Sequence, residues 1–453
     1  MVARRQPKAA KGKHAPASRA PPADEVILQV AVDVTTLKRG LQIAREAARG
    51  GAQWIEVGTP LLKSEGMETV RAFRRELKGK TIVADMKTAD VGGAEVELAA
   101  KAGAHVVHVL GSSHDETIRD AVRSGRKYGA WVAVDLIGIG DKVKRAREVE
   151  GFGVHHVSVH VGVDEQMVGL SPVEMVRKVA QAVSIPVAVA GGLNSETAPA
   201  VVRAGATIVI VGGALTKAKD PAAETRKILK AINARKAIPT ALFKKYRQDE
   251  LAEAFRIAST PNITDAAHRK GAMVGLRPVI ARGAKMVGRA VTVRTADGDW
   301  AKPVEAIDVA KAGDVIVVDA HGGTTAIWGE LASWSSKVKG IAGVVVDGAI
   351  RDVPDILAMG FPAFARHTSP HAGEPKGHGE IGGDIVCGGQ AVSTGDWIIG
   401  DESGVVVVPK ERAVEIANRA VNVFETENRL REEIRRGSTL SKQLELEKWE
   451  KVG

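Results

Sequence analysis

The stretch TIVADMKTAD, residues 81–90, ends an apolar run with three charged residues, Asp85, Lys87 and Asp90. Asp85 and Lys87 are two positions apart, so on an extended strand their side chains point to the same side. Lys87 could hydrogen-bond an enediolate beside a metal held by Asp85, and could shuttle a proton. Asp90 is expected to orient Lys87 and keep it charged.

Further polar residues fall where other Val- and Ile-rich runs end, namely Asp33, Glu56, Asp135 and His160. Glu56 and Asp85 offer hard oxygen ligands that suit Mg²⁺, with Mn²⁺ as the alternative, and such an ion could hold two oxygens of an enediolate. His160 titrates near neutral pH and could act as a base or an acid. The competing interpretation is a salt-bridged loop beside a core histidine.

Glycine pairs end the last two of these runs, as Gly191-Gly192 and Gly212-Gly213. Each pair precedes a predicted helix. Glycines expose backbone N–H groups and helix starts favour anions, so the sequence predicts that these loops bind a phosphate group. Carboxylates, a lysine and a phosphate-holding rim together indicate chemistry on a sugar phosphate.

Eight apolar runs, which start 22 to 30 residues apart, supply these positions. They are residues 26–34, 54–58, 81–87, 105–111, 131–139, 156–162, 186–192 and 208–214. The stretches between them are rich in Ala, Glu, Lys and Arg and favour helices. Continuous apolar runs suit parallel strands buried on both faces, so eight units predict a (β/α)₈ barrel with its site at the carboxyl ends of the strands. A doubly wound open sheet is the runner-up, but the first run lacks the Gly-rich loop of that fold.

The segment from about 25 to 236 resembles the orotidine-monophosphate decarboxylase suprafamily, whose hallmark is Asp-x-Lys-x-x-Asp. Within it, the segment most resembles the 3-hexulose-6-phosphate synthases. The matching stretches are QVAVD (29–33), IEVGTPL (55–61), ADMKTAD (84–90), VHVGVDEQ (159–166), AVAGGL (188–193) and IVGGALTKAKDP (210–221). The resemblance implies a Mg²⁺-dependent, reversible aldol condensation of D-ribulose 5-phosphate with formaldehyde to D-arabino-3-hexulose 6-phosphate.

The same resemblance assigns roles to individual residues. It gives catalytic positions to Asp33, Lys87, Asp90 and His160, and metal-ligand positions to Glu56 and Asp85. It also implies a dimer in which the last Asp of the motif reaches into the partner subunit's site. The related 3-keto-gulonate-6-phosphate decarboxylases are the alternative. They typically carry Arg where this chain has Val163 and Gly213, which favours the synthase.

The alternation of strand-like and helix-like segments ends at a Pro-containing, cation-rich stretch, residues 237–250. We therefore place a domain boundary there, between 240 and 241. A mixed α/β domain is predicted for 241–410 and a helical tail for 411–453. In this half Glu330 lies 21 positions before Arg351, which Asp352 follows at once. Arg351 could clamp a carboxylate, Asp352 could ligate a divalent metal, and Glu330 could act through a metal-bound water. The alternative is a plain surface Arg–Asp pair.

Residues 250–430 resemble the RraA-like family, which includes class II 4-hydroxy-4-methyl-2-oxoglutarate aldolases and regulators of ribonuclease E. The matching stretches are STPNITDA (259–266), WGEL (328–331), VVVDGAIRD (344–352), FPAFA (361–365) and GDESGVVVVP (400–409). The resemblance implies a metal-dependent lyase acting on pyruvate-yielding 2-oxo acids, with Glu330 where Asp is more usual, and trimers or hexamers. The alternative is a second domain that only binds, regulates or assembles.

The composition limits the other function classes. The net charge is +10, and residues 1–23 contribute six basic side chains and no acidic one. We therefore expect a disordered basic tail at 1–24 on a nearly balanced enzyme, rather than a nucleic-acid-binding protein, although a nucleic-acid arm stays open. The single cysteine, Cys387, excludes a disulfide framework within the chain, and there is no apolar run of membrane-spanning length. These features favour a cytoplasmic location, while the two resemblances imply a homo-oligomer that acts on small molecules.

Overall fold

The chain forms two compact units in a computed structural model, which describes residues 26–435, 437–444 and 446. The first unit runs to Gln166 and continues from Leu170 to Lys244. The second unit consists of Met167–Gly169 and the chain from Lys245 onward. The basic tail predicted at 1–24 lies outside the described residues.

Eight parallel strands of the first unit form a closed barrel. The strands are β1 (Ile27–Val32), β2 (Trp54–Val57), β3 (Thr81–Thr88), β4 (Val106–Leu110), β5 (Trp131–Asp135), β6 (His156–His160), β7 (Val187–Ala190) and β8 (Ile208–Val211). Each pairs with its neighbours in chain order, and β1 pairs with β8 to close the ring. Every strand overlaps one of the eight apolar runs, so the predicted (β/α)₈ barrel is confirmed.

Helices follow the strands around the barrel. They are α1 (Leu37–Gly50), α2 (Thr59–Glu65), α3 (Glu68–Glu76), α4 (Gly92–Ala102), α5 (Asp115–Tyr128), α6 (Lys142–Gly151), α7 (Val163–Met167), α8 (Val173–Ala180), α9 (Ala198–Arg203), α10 (Gly213–Thr216) and α11 (Pro221–Ala234). In α1 the buried residues Ile43, Ala44 and Ala47 recur at helical spacing and form one apolar face. Gly51 caps the end of the helix, and its φ of 105° is left-handed and suits glycine.

The core of the barrel lies on both sides of its strands. One apolar cluster, which includes Val30 and Ile55, fills the layer between strands and helices. A smaller one, which includes Val83 and Ala133, fills the inside of the barrel. Because both faces are covered, the strand ends are the part of the barrel left to bind a ligand.

A mixed sheet of ten strands forms the second unit, together with a two-stranded one. The strands are β9 (Ala272–Met273), β10 (Arg277–Val279), β11 (Met286–Arg294), β12 (Val315–Asp319), β13 (Ala326–Trp328), β14 (Gly343–Ile350), β15 (Ala363–Thr368), β16 (Glu380–Ile381), β17 (Ile385–Cys387), β18 (Gln390–Val392), β19 (Trp397–Asp401) and β20 (Gly404–Val408). The main sheet has the order β10-β15-β14-β12-β11-β19-β20-β9, with β13 beside β14 and β16 beside β11. The strands β11, β12, β14 and β15 pair in parallel, while β19 and β20 pair antiparallel. The predicted mixed α/β domain is thus confirmed.

The helices of the second unit cover the sheet. They are α12 (Leu251–Ile257), α13 (Thr260–Ala266), α14 (Ala301–Val309), α15 (Glu330–Val338), α16 (Val353–Ala358), α17 (Ala413–Arg435) and α18 (Leu440–Gln443), with a 3₁₀ turn at Lys410–Arg412. The first half of α17, around Ile416 and Ala420, is buried against α12 and α13. None of the described helices is long and apolar enough to cross a membrane.

Candidate active site

The carboxyl ends of the barrel strands enclose a cavity of about 340 Å³. The sequence-predicted residues that line it are Asp33, Glu56, Asp85, Lys87, His160, Gly191, Gly192, Gly212 and Gly213. They come from six different strands or the loops after them, so the fold alone brings them together. The predicted residue that does not line the cavity is Asp90.

The Lys87 ammonium lies between two carboxylates. It donates hydrogen bonds to Asp85 Oδ1 at 2.9 Å and Oδ2 at 3.0 Å, and to Asp135 Oδ2 at 2.7 Å. The same Asp135 oxygen lies 2.9 Å from His160 Nδ1. Lys87 has a left-handed backbone, with φ of 49°, which few residues other than glycine adopt. Asp135 thus links the ends of three strands into one hydrogen-bonded network.

The network fixes the charge of its members. Burial alone would lower the pKa of Lys87, but Asp85 and Asp135 outweigh it and hold that pKa well above its usual value. Burial alone would raise the pKa of Asp135, but His160 and Lys87 outweigh it and hold that pKa well below its usual value. Lys87 is therefore cationic and Asp135 anionic throughout the neutral range.

The other carboxylates of the cavity repel one another. Burial, followed by the charges of Asp85 and Asp33, raises the pKa of Glu56 well above its usual value. Part of Asp33 is accessible to solvent, but the rim of the barrel encloses its carboxyl group. That enclosure and the charge of Asp85 raise the pKa of Asp33 to about 6. An excess of negative charge thus remains that Lys87 alone does not neutralise.

This donor set fits a divalent cation. Among the described residues no group of three or more His, Cys, Asp or Glu side chains stands ready to hold a metal. Mg²⁺, however, commonly takes only one or two carboxylates and completes its shell with water and substrate oxygens. Glu56 and Asp85 supply two hard oxygen ligands, and a cation beside them would offset the burial and the carboxylate repulsion that raise the pKa of Glu56.

Asp90 does not occupy the position expected for it within one chain. Its side chain is exposed beyond the end of β3, and Oδ1 accepts a hydrogen bond from the Val91 N–H at 2.7 Å. Val91 is itself left-handed, with φ of 46°. Among the described residues, Lys87 is oriented by Asp85 and Asp135 and makes no bond to Asp90. The expectation that Asp90 orients Lys87 is therefore corrected for the single chain.

Three cavity residues were given no role by the sequence. Asp135 was recognised only as a charged strand end, and its strand-end position was the available signal. His108 is buried inside β4, with Nδ1 at 3.7 Å from Asp85 Oδ1, and burial lowers its pKa. Its position within an apolar run gave no signal. Phe243 belongs to the stretch interpreted as a linker, yet its ring lines the cavity.

The trio predicted in the second unit lies beside a second cavity, of about 570 Å³. Glu330 begins α15, and Arg351 and Asp352 follow the end of β14. Asp352 Oδ2 accepts a hydrogen bond from the Glu330 N–H at 3.1 Å and lies 3.4 Å from Arg351 Nε. Apolar side chains, among them Trp328 and Ile307, form much of the remaining wall.

Comparison with known proteins places both halves of the chain. Residues 27–228 match the family model for orotidine 5′-phosphate decarboxylase / HUMPS, and residues 260–407 match the RraA-like model, described as Aldolase/RraA. A 3-hexulose-6-phosphate synthase from Mycobacterium gastri is 40% identical over 205 residues, which are 45% of this chain and 99% of that protein. The chain belongs to the orotidine 5′-phosphate decarboxylase / HUMPS family.

A second curated relative agrees with this placement. The 3-hexulose-6-phosphate synthase from Bacillus subtilis strain 168 is 32% identical over 206 residues, which are 45% of this chain and 98% of that protein. A crystal structure of a 3-hexulose-6-phosphate synthase aligns at 41% identity with a TM-score of 0.44, over 46% of this chain and 99% of that one. The predicted resemblance is confirmed: the chain fuses a 3-hexulose-6-phosphate synthase-like enzyme domain to an RraA-like domain.

Proposed function

We propose that the barrel catalyses the reversible aldol condensation of D-ribulose 5-phosphate with formaldehyde to D-arabino-3-hexulose 6-phosphate. The observation that carries this proposal is the network in which Asp135 binds both Lys87 and His160 at the wall of a cavity that ends in four glycines. The 40% identity to a 3-hexulose-6-phosphate synthase supports the choice of substrates.

Each residue of the network has a task in this reaction. Nδ1 of His160 is hydrogen-bonded to the Asp135 carboxylate, which leaves Nε2 to remove a proton from carbon 1 of ribulose 5-phosphate. Lys87 stays protonated and hydrogen-bonds the substrate oxygens on which negative charge develops. Carbon 1 then forms a bond with the carbon of formaldehyde, and the formaldehyde oxygen takes up a proton to become a hydroxyl group. The N–H groups of Gly191, Gly192, Gly212 and Gly213 hold the phosphate.

Glu56 and Asp85 would hold Mg²⁺ or Mn²⁺, which when bound supplies positive charge to offset the negative charge on substrate oxygens.

The test of the proposed reaction is consumption of ribulose 5-phosphate with and without formaldehyde, in EDTA and after addition of Mg²⁺. We expect turnover only with formaldehyde and metal, and none in Asp85→Asn. Turnover that survives EDTA would contradict the metal requirement, and an inactive wild-type chain would contradict the aldol assignment.

We also propose that barrels pair and that Asp90 acts in the partner's site. Its exposure beyond the end of β3 supports this proposal. Mixing the variants Lys87→Ala and Asp90→Ala would then restore one intact site per mixed dimer, or about a quarter of wild-type activity after random exchange. If Asp90 acts within its own chain, the mixture stays inactive.

For the second unit we propose a divalent-metal-dependent aldolase or decarboxylase that releases pyruvate from 2-oxo acids. The meeting of Glu330, Arg351 and Asp352 at one cavity supports it. Arg351 would clamp the substrate carboxylate and Asp352 would hold the metal. Pyruvate release from oxaloacetate or 4-hydroxy-4-methyl-2-oxoglutarate, with and without Mg²⁺, tests it. No release from the intact chain would leave a binding, regulatory or assembly role.

A further inference from the structure

The segment after the last barrel helix, residues 237–244, returns to the carboxyl-terminal face of the barrel; we call it the rim segment. Ile238 exchanges two hydrogen bonds with Ser195: its N–H donates to the Ser195 carbonyl at 3.0 Å, and its carbonyl accepts from Ser195 Oγ at 2.9 Å. Asn194 Nδ2 donates to the carbonyls of Leu242 and Phe243 at 3.3 and 3.4 Å. The rim segment is thus tied to the loop that follows β7.

The two residues that hold the rim segment are themselves deeply buried. Asn194 is 2% exposed and Ser195 is fully buried. Buried polar side chains without partners destabilise a fold. Because the rim segment supplies partners for both, its position belongs to the barrel rather than to a loose linker.

The rim segment delivers an aromatic ring to the phosphate end of the cavity. Phe243 is 9% exposed and lines the cavity beside Gly212 and Gly213. A Cβ atom on Gly213 would lie 2.4 Å from Phe243 Cε2, so the ring packs directly on the glycine backbone. The ammonium group of Lys217 lies 4.9 Å from the centroid of the ring, within cation–π distance.

This ring lies outside the part of the chain that matches the HUMPS family model, which ends at residue 228. Phe243 is held with a φ of 57°, a left-handed conformation that is costly for a residue with a side chain. Packing around the ring and the two bonds from Asn194 maintain that conformation. The arrangement also excludes any side chain at position 213, a long cationic one included.

We propose that Phe243 is a further substrate-binding residue of the barrel site: it closes the phosphate end of the cavity and excludes water from the glycine N–H groups. The proposal rests on the proposed function of those glycines in holding a sugar phosphate. Hydrogen bonds from N–H groups to a phosphate strengthen when bulk water is excluded. The ring leaves no room for a cationic side chain at position 213. It contributes affinity for the phosphate instead, by keeping water away from the N–H groups.

The experiment uses the full chain with Phe243→Ala, the intermediate Phe243→Leu and the matched control Leu242→Ala on the same segment. Leu242 accepts the hydrogen bond from Asn194 through its backbone carbonyl, which the substitution keeps, and it does not line the cavity. Three quantities are measured: kcat, KM for ribulose 5-phosphate, and the dissociation constant of inorganic phosphate by calorimetry. Uniform binding interactions change KM and leave kcat unaltered.

We expect Phe243→Ala to raise KM and the phosphate dissociation constant together by about tenfold, with kcat nearly unchanged. Phe243→Leu should raise both by about threefold, and Leu242→Ala should match the wild type. Ser195→Ala, which removes one tie of the rim segment, should move both constants in the same direction by a smaller factor. Thermal unfolding of each variant identifies a folding defect, and if Phe243→Ala does not fold, Phe243→Leu decides.

Two results would overturn the proposal. One is a phosphate dissociation constant in Phe243→Ala within about twofold of the wild type, a difference below 0.5 kcal/mol. The other is a fall in kcat with KM unchanged, which would place the ring at the reacting atoms instead. If the wild type binds phosphate but does not turn over ribulose 5-phosphate, the aldol assignment fails while the calorimetry still tests Phe243.

Discussion

The two candidate sites differ in how firmly the fold holds their charged side chains. In the barrel, the side chain of Asp135 is 2% exposed and binds both Lys87 and His160. In the second unit, the side chains of Arg351 and Asp352 are 45% and 37% exposed and 3.4 Å apart. Exposed pairs of this kind contribute little, so the fold itself holds the charged groups of the barrel site, whereas it holds the Arg351–Asp352 pair only weakly.

Buried acids in the two units also differ in their balance of charge. In the cavity of the barrel, burial and neighbouring carboxylates raise the pKa of Glu56. In the second unit Asp347 receives hydrogen bonds from Arg366 Nε at 2.5 Å and the Gly388 N–H at 2.7 Å, which outweigh burial and lower its pKa. The neighbours of Glu56 thus add to its burial cost, whereas Arg366 and the Gly388 N–H offset the charge of Asp347.

The largest effect is expected for Lys87→Ala, which removes the cation at the centre of the barrel site. We expect kcat/KM for formaldehyde-dependent consumption of ribulose 5-phosphate to fall by at least about a thousandfold, because the cation that stabilises the developing negative charge is lost. The control is Lys80→Ala, whose ammonium group bonds the Ala52 carbonyl away from the cavity. Activity above about a tenth of wild type in Lys87→Ala would remove the role assigned to it.

Asp135→Asn should lower kcat by about a hundredfold with little change in KM, because the amide keeps the shape but loses the charge. Asp135 raises the pKa of Lys87, so in the variant the alkaline limb of the pH–rate profile should move to lower pH. Asp141→Asn, at the start of α6, is the control, since Asn also caps a helix well. An unshifted alkaline limb would show that Asp135 does not set the charge of Lys87.

Arg351→Ala should lower pyruvate release from oxaloacetate by about a hundredfold while the barrel reaction keeps its rate. Lys87→Ala should give the reverse result. Arg282, exposed and outside the second cavity, supplies the control Arg282→Ala. Equal release from Arg351→Ala and the wild type would show that the second site does not use this side chain.

A smaller effect, on stability, is expected for Asp347→Asn. Its pKa in the folded state lies below the usual 3.8, so its contribution is complete above that value and disappears as pH falls through the folded value. The variant should lose about 1–3 kcal/mol of unfolding free energy at pH 7 and match the wild type in strong acid. Denaturant unfolding at both pH values measures this, with the exposed Asp308→Asn as control. A difference that persists in strong acid would show that charge is not its source.

The sequence predicted the barrel because its signal is repetitive and local. The run at 105–111 contains β4 (Val106–Leu110), and the run at 156–162 contains β6 (His156–His160). Strands were also predictable in the second unit at its longer Val- and Ile-rich runs, as in β12 (Val315–Asp319) and β14 (Gly343–Ile350). Its two- and three-residue strands, such as β9 and β16, were not, because so short a run carries no periodicity.

The sequence could not predict which side chains meet across the rim. Lys87 and Asp135 are 48 positions apart in the chain, and their bond depends on the register of β3, β4 and β5. Phe243 was missed for another reason, since Pro, Lys and Arg around it are typical of a linker. The role of every site residue stays a prediction until the variants above are measured.

The left-handed backbone of Lys87 and Val91 has a consequence for how such a barrel changes over generations. One lies near the end of β3 and the other just before α4, and each stores on the order of 1 kcal/mol that glycine would release. A descendant that no longer needed this chemistry would gain stability by replacing either residue with glycine. Replacement of Lys87 or Val91 by glycine would therefore be an early sign that a duplicated protein had lost its activity while keeping its fold.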